Sequence, residues 1–371
     1  MIRKRPASVI YHFILDPRSG GPHNYVLRLS KALAAEFDSI VVTGGKSKFT
    51  DLPLLNLRHM LRVLYPLEVF LNVIKICWYF RKCVNHNNVV IDVHGAANVA
   101  PIIAARILKI PVVWHFHEIE KSFTILVSLG RRLLSKLPHS LVVVANKSKE
   151  VYSLPDACFI PGGVDLDFWK ISEPLSSDSK VLKLLAVGNI NPLKGFDVFL
   201  EALVDIDIPV KVVLAGATLN NFGRYTATLM KQANKLKKLN CDVEFAGWQS
   251  SDSVRNLMSE CDIFVLPSLS EACPLVLLEA MACRCACIAT DVGDVAEIMS
   301  AKDDGGLLVE SGDSARLRDS LRKLYFIGGE ARLKMGNIAR ERVEARYGLG
   351  PMALKHLALY DALLNRCEAK P

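Results

Sequence analysis

The chain has 371 residues, with 46 Lys and Arg against 38 Asp and Glu and a formal net charge of +8. Hydrophobic residues make up 51% and charged residues 23%, which excludes a disordered or fibrous chain and supplies apolar mass for two domains. The basic excess suits an anionic small molecule or a membrane surface; no Lys/Arg tract interleaved with aromatics stands out, so no nucleic acid is expected as a partner.

Met1-Ile-Arg-Lys-Arg-Pro6 leads into a strand-like run rather than a cleavable apolar region, and several of the ten cysteines sit inside apolar patterns. They read as reduced core thiols of a cytoplasmic protein. Cys283-x-Cys285-x-Cys287 lacks the CxxC turn and a second ligand pair, so no zinc site is expected there.

Ser8 to Leu15 reads as the first strand. Ser19-Gly20-Gly21-Pro22-His23-Asn24 is a turn before an amphipathic helix from about Tyr25 to Glu36. Gly20 and Gly21 allow close backbone approach to a phosphate, or form only a tight connection. Ser39 to Gly45 is a second strand and turn. Arg58 to Cys83 is apolar and aromatic, with Arg58, Arg62, Lys75, Arg81 and Lys82 interspersed. Pro66, Glu68 and Asn72 interrupt it, so it does not read as a membrane span. It is either a basic amphipathic surface for anionic lipid or a core-facing helix pair. Lys121 to Lys136 has the same character.

Val89 to Gly95 is a strand, Ala97 to Leu108 a helix, and Ile110 to Glu118 a strand and its exit. Strand, helix, strand argues for a parallel sheet, whose ligands bind at the carboxyl ends of the strands. His94, His115 and His117 fall at such ends, and alternation puts His115 and His117 on one face. A metal is conceivable there; hydrogen bonding of a neutral imidazole to substrate is the preferred reading, against a purely structural role. Ser140 to Ala145 is another strand, and Cys158 to Trp169 closes the half.

Ile171 to Lys180, with Pro174 and four Ser, reads as the linker. The expected domains are 1–172 with 347–371, and 180–346. In the second, Leu182 to Gly188 is a strand and Asn189 to Gly195 the turn before a helix. Lys194 at that turn is placed to meet a phosphate, or is a solvated surface Lys. Val210 to Gly216 and Val243 to Trp248 are further strands with turns. Lys231, Lys235, Lys237 and Lys238 lie on a helix with a solvated face.

Ile263 to Pro267 is a buried parallel strand. It leads into Ser268-Leu-Ser-Glu271-Ala-Cys273-Pro274 and an apolar helix, with Pro274 expected at the first helical position. Between Glu271 and Arg284, Glu279 is the only charged residue. Either it points out at a helix edge, or a cleft uses Glu271 and Glu279 to hold hydroxyls, with an anion on the N–H groups of the helix start. Hydroxyls plus an anion suggest a sugar nucleotide.

The spacing Glu271-x7-Glu279, followed by Cys287-Ile-Ala-Thr-Asp291-Val-Gly293, resembles the retaining glycosyltransferases of the glycosyl transferases group 1 family, often called GT4. The resemblance implies an α/β chain of the GT-B fold: two Rossmann-like doubly wound domains facing a cleft, with a final helix from about Tyr347 crossing back to the first. It implies metal-independent transfer with retention, without a cofactor. The donor would be a nucleoside-diphosphate sugar and the acceptor a saccharide or lipid-linked glycan. It further implies a role in envelope polysaccharide or lipopolysaccharide synthesis, with peripheral contact on an anionic inner membrane face.

By the same resemblance, Glu279 holds the ribose and Glu271 a donor-sugar hydroxyl. His117, or else His115, sits by the anomeric carbon. Gly20 and Gly21 lie beside the donor phosphate and acceptor, and Lys194 grips the diphosphate. Cys273, Pro274 and Leu275 complete the donor site at the helix start, and Trp248 lies near the base. Three departures stand out: Gly162 replaces a usual Asn, Asp294 a second Gly, and Asn189 an Arg that would share the diphosphate with Lys194. Either another Arg such as Arg224 compensates, the donor is held more weakly, or the chain is a catalytically silent partner subunit. A two-carboxylate hydrolase fits less well, since Glu279 lies deep in a helix. The missing GxGxxG excludes a nicotinamide dehydrogenase.

Overall fold

A computed structural model describes residues 8–15, 20–44, 54–55, 65–84, 88–119, 135–171, 181–219, 222–237, 241–300 and 304–368. The chain divides into two compact units: Met1–Gly163 with Leu349–Pro371, and Val164–Gly348.

The first unit is built on a parallel sheet of β1 (Ser8–Ile14), β2 (Phe37–Thr43), β3 (Val89–His94), β4 (Val112–Phe116), β5 (Ser140–Val143) and β6 (Cys158–Phe159), in the order β2-β1-β3-β4-β5-β6. An isolated parallel bridge between Gly44 and Leu54 adds to the β2 edge. β3 and β4 are buried along their whole length, as expected of central strands covered on both faces. The connecting helices are α1 (Gly21–Ala32), α2 (Tyr65–Cys83), α3 (Ala100–Leu108) and α4 (Asn146–Tyr152). One core gathers Phe13, Ile76, Phe80, Ile91, Trp114 and Phe116. The C-terminal helix, Leu349–Glu368, packs on α1 and β3 of this unit and buries His356, Tyr360, Leu363 and Leu364.

The second unit repeats the plan with β7 (Leu182–Val187), β8 (Val210–Ala215), β9 (Cys241–Gly247), β10 (Ile263–Leu266), β11 (Ala286–Thr290) and β12 (Leu307–Val309), ordered β12-β11-β10-β7-β8-β9 and parallel throughout. Its helices are α5 (Phe196–Ala202), α6 (Gly223–Lys237), α7 (Ser251–Glu260), α8 (Leu275–Ala282), α9 (Val295–Met299), α10 (Ser314–Phe326) and α11 (Gly328–Arg346). Alternation along β7 sends Leu184 into one core, with Phe199, Leu229, Ile288 and Leu321, and Leu185 into the other, with Phe264, Leu277, Met281 and Ala339.

Two sequence expectations meet a different outcome. Residues 164–171 were expected to end the first domain, but Val164 and Trp169 pack in the second unit's core, where their apolar area is buried. Val164 N donates to Tyr347 O at 2.8 Å, tying both chain crossings together. Pro274 is the residue before α8 rather than its first: ψ of 103° takes it out of the helical region and leaves Leu275 to start the helix. The expected linker at 172–180, the basic positions Arg58 and Arg62, and most of the Lys121 to Lys136 stretch lie outside the described residues.

A buried Arg340 holds the second unit's closing segment. Its guanidinium donates to the carbonyls of Trp169 (2.8 Å), Ala282 (2.6 Å) and Leu166 (3.2 Å). Glu344 balances its charge. Arg340→Leu strands those three carbonyls, and a buried group left unsatisfied costs about 1–3 kcal/mol. Urea unfolding should show the second unit losing about 3 kcal/mol or more, with helix content retained at zero denaturant; a loss under about 0.5 kcal/mol, the scale of a neutral surface change, would remove Arg340 from this role.

Candidate active site

In the second unit the strand order reverses between β7 and β10, the place where open parallel sheets bind ligands at the carboxyl ends of their strands. The chain leaves β7 through Gly188 and Asn189 into a short 3-10 turn, Pro192–Lys194. Asn191 shapes it: its side chain accepts from Leu193 N at 3.0 Å and donates to Asn189 O at 3.0 Å. Gly195 follows with φ +61°, and a Cβ there would fall 2.0 Å from Pro267 O. Only Gly lets the loops after β7 and β10 come this close. Leu269 N then donates to Leu193 O at 2.8 Å.

This approach carries Lys194 onto Glu271, an ion pair between residues 77 positions apart. Ser268 Oγ donates to the same carboxylate oxygen at 2.8 Å. Gly293, at φ +56°, backs the Glu271 loop so tightly that a Cβ would sit 2.1 Å from Glu271 O. The paired side chains retain 25% and 12% exposure, so they are reachable from solvent. The sequence reading assigned Lys194 to a phosphate and Glu271 to a sugar hydroxyl; the structure brings the two into direct contact. An arriving anion must therefore compete with Glu271 for Lys194.

Beside them, the first N–H groups of α8, at Leu275 and Val276, have no carbonyl one turn back to bond, and Pro274 O serves Leu277 and Leu278. These donors and the positive end of the helix favour an anion. Glu279 is buried within α8, so it is not a carboxylate pointing out at a helix edge. Cys273 is half-buried and Pro274 buried. Asn189, in the position of the expected cation, is half-buried and brings no charge. Arg224, the suggested substitute, is exposed in the first turn of α6. Trp248 is 67% exposed just after Gly247.

The first unit's strand order reverses between β1 and β3. Gly20 precedes α1 with extended backbone and Gly21 opens the helix; a Cβ on either would meet nothing within 4 Å, so the space over this turn is open. His94 and His115 are partners in the β3–β4 ladder, with rings stacked at 4.6 Å. His117 lies just past β4, its ring nearly parallel to that of His115 at 6.0 Å, as alternation requires. His94 Nδ1 and His117 Nε2 are 2.9 Å apart. Glu118 fastens the loop after β3 by accepting from Ala96 N at 3.2 Å.

Sequence reasoning missed the rest of this cluster. Asp92, mid-strand in β3, is wholly buried. Its Oδ2 accepts from Tyr360 OH at 2.6 Å and stands 3.0 Å from His12 Nδ1 and 3.2 Å from His94 Nε2. Its Oδ1 is 2.7 Å from His115 Nε2. Burial alone would raise the Asp92 carboxyl; the imidazoles of His115 and His94 outweigh it and hold the group well below the usual carboxylate range. Burial pushes His94 down to about 4 despite Asp92, and it likewise lowers His117. His356, whose Nδ1 lies 2.9 Å from Met352 O, is pushed by burial to about 3. The available signal was polar residues inside otherwise apolar strand runs, His12 in β1 and Asp92 in β3.

Comparison with known proteins bears on the family and the fold. Residues 167–342 match the family described as Glycosyl transferases group 1. N-acetyl-alpha-D-glucosaminyl L-malate synthase of Bacillus anthracis is 29% identical over 193 residues, 52% of this chain and 48% of that one. The aligned chain thus spans roughly half the length of the curated relatives it matches. Among solved structures, sucrose-phosphate synthase from Thermosynechococcus elongatus superposes with a TM-score of 0.81 at 18% identity, covering 97% of this chain and 100% of that one. Anabaena HepE in complex with UDP-glucose gives 0.79 at 17% identity, covering 96% and 100%.

The frame around Glu271 is testable. Gly293→Ala forces a side chain into a left-handed backbone and onto Glu271 O, and such strain alone costs about 1–3 kcal/mol. The variant should unfold at lower urea than the parent. An unchanged midpoint would show that the loop yields freely and that Gly293 does not set the position of Glu271.

Proposed function

We propose that this GT-B-fold chain, whose second unit matches the glycosyl transferases group 1 family, is a glycosyltransferase that moves a sugar from a nucleoside-diphosphate sugar to a saccharide or lipid-linked acceptor with retention. The observation that carries this reading is the Lys194–Glu271 pair beside the unbonded N–H groups of α8, at the strand reversal of the second sheet. A diphosphate leaves more readily when its growing charge is neutralised. Lys194 and the α8 N-terminus supply that neutralisation, and no metal at the diphosphate is invoked. As the anion takes Lys194, Glu271 is released to accept from a sugar hydroxyl. Glu279 is assigned to the ribose hydroxyls, Trp248 to the base, and Cys273, Pro274 and Leu275 to the phosphate-facing turn. His117, held neutral by burial, is assigned to the transferred sugar, and Gly20 and Gly21 to the acceptor.

The acceptor's character is read from α2. Its inner face buries Asn72, Ile76 and Phe80. Asn72 bonds both backbone groups of Leu55, at 2.8 and 3.0 Å. Its outer face exposes Leu67, Phe70, Ile74 and Trp78, with Lys82 Nζ 4.9 Å from the Trp78 ring centre. One face of α2 is therefore core, and the other carries exposed apolar side chains beside Lys82. That combination suits peripheral contact with an anionic membrane carrying a lipid-linked acceptor, as in envelope polysaccharide synthesis. Among the described residues no helix is long and apolar enough to cross a membrane.

Thermal shift with UDP-, GDP- and ADP-sugars, with and without EDTA, tests the donor. A ligand at a hundred times its Kd stabilises the folded state by about 2.7 kcal/mol. One nucleotide should stand out, equally with EDTA present. Lys194→Ala should weaken that nucleotide by about tenfold or more, the size of one charged hydrogen bond. Glu271→Gln should bind the free nucleoside diphosphate at least as tightly while turnover falls. No shift with any nucleotide would instead support a silent partner subunit, with Asn189 as the cause. For the membrane reading, Phe70→Glu with Trp78→Glu should abolish sedimentation with anionic vesicles and leave nucleotide binding intact; equal sedimentation of parent and variant would sink it.

A further inference from the structure

The histidine cluster of the first unit contains more than a substrate contact. His12 Nδ1, Asp92 Oδ2 and His94 Nε2 form a triangle with sides of 3.0, 3.3 and 3.2 Å. All three side chains are fully buried. A tetrahedral ion about 2.0–2.1 Å from each of three donors spaces them about 3.3–3.4 Å apart. The observed triangle nearly matches one face of that tetrahedron. We propose that His12, Asp92 and His94 are ligands of a first-row divalent transition-metal ion, zinc being the type case, at the β1–β3 reversal of the first unit.

Protons alone account for the cluster poorly. Two imidazole N–H groups and the Tyr360 hydroxyl would all have to converge on Asp92 Oδ2. Meanwhile Asp92 Oδ1 and both ring nitrogens of His115 have no hydrogen-bond partner. His115 Nε2 is only 2.7 Å from Oδ1, but not in hydrogen-bonding geometry. Among the described residues no Lys or Arg pairs with this carboxylate, and a buried charge without a compensating cation is costly. An ion supplies the positive charge and uses the lone pairs that now crowd one another. Two imidazole nitrogens and a carboxylate oxygen are a donor set that zinc accepts.

The surroundings have the form of an outer shell. With Nδ1 on the ion, His12 turns Nε2–H toward Ser39 Oγ, 3.4 Å away. With Nε2 on the ion, His94 directs Nδ1–H at His117 Nε2, 2.9 Å away. Tyr360 OH steadies the ligating oxygen. Such partners fix ring orientation and tautomer. A bound ion would thus leave His117 with its hydrogen on Nδ1, so the ion sets which nitrogen His117 presents as a donor. It does not enter the departure of the diphosphate, which rests on the second unit.

The test uses the full chain, stripped with chelator and titrated with Zn2+ alone by calorimetry. One Zn2+ per chain is expected, with a zinc-edge X-ray absorption spectrum showing only nitrogen and oxygen neighbours at about 2.0–2.1 Å. His12→Ala with His94→Ala should lose at least a hundredfold in affinity. If that variant fails to fold, the absorption spectrum of the parent decides. Sulfur neighbours would move the metal to cysteines and overturn the assignment, as would no stoichiometric uptake, or full affinity in a folded variant.

Discussion

The arrangement of the second unit rests on how closely backbone passes backbone at the β7–β10 reversal. Besides Gly195 and Gly293, Gly216 lies where a Cβ would be 1.8 Å from Gly188 O. These contacts leave no room for side chains between the exits of β7, β8 and β10. Lys194 and Glu271 therefore meet because their backbones are held, not because the ion pair draws distant loops together; a pair that retains solvent access contributes modestly to stability on its own. Rigid positioning is what a donor site needs, since misplaced neutralising charge is lost to water rather than spent on the leaving group.

The two units solve the same topological problem with opposite contents. At its reversal the second unit offers glycines, one cation, one reachable anion and helix N–H groups. The first unit fills the equivalent place with a closed polar core, five imidazoles and two tyrosines around a single carboxylate. These side chains come from β1, α1, β3, β4 with its exit, and the C-terminal helix, which brings His356 and Tyr360. That helix is thus more than a tie: without it Asp92 loses a hydroxyl donor and His115 the ring stacked 5.4 Å away.

What could be read from the residues alone follows from this contrast. Glu271 and Glu279 were visible because a charge in an apolar stretch is conspicuous, and His94, His115 and His117 because strand ends are where parallel sheets act. His12 and Asp92 were passed over: each stands as a polar residue in an apolar strand run, but only the β1–β3 register sets them opposite one another and gives that signal a meaning. The Lys194–Glu271 contact was hidden for the same reason, since it depends on strand order. The domain boundary was placed by composition, at Pro174 and its serines, whereas the fold places it by burial, where Val164 and Trp169 enter the second core.

Asn189 gains meaning from the same geometry. With an Arg there, two cations could divide their work, one staying with Glu271 and one meeting the diphosphate. With Asn189, a single Lys194 serves both in turn. On that proposal, binding of the anion and release of Glu271 would become one event, and the carboxylate would be available to the sugar only with the diphosphate in place. On the proposed donor site, the Asn189 that looks like a loss in sequence would instead couple the two halves of donor recognition through one shared ammonium group.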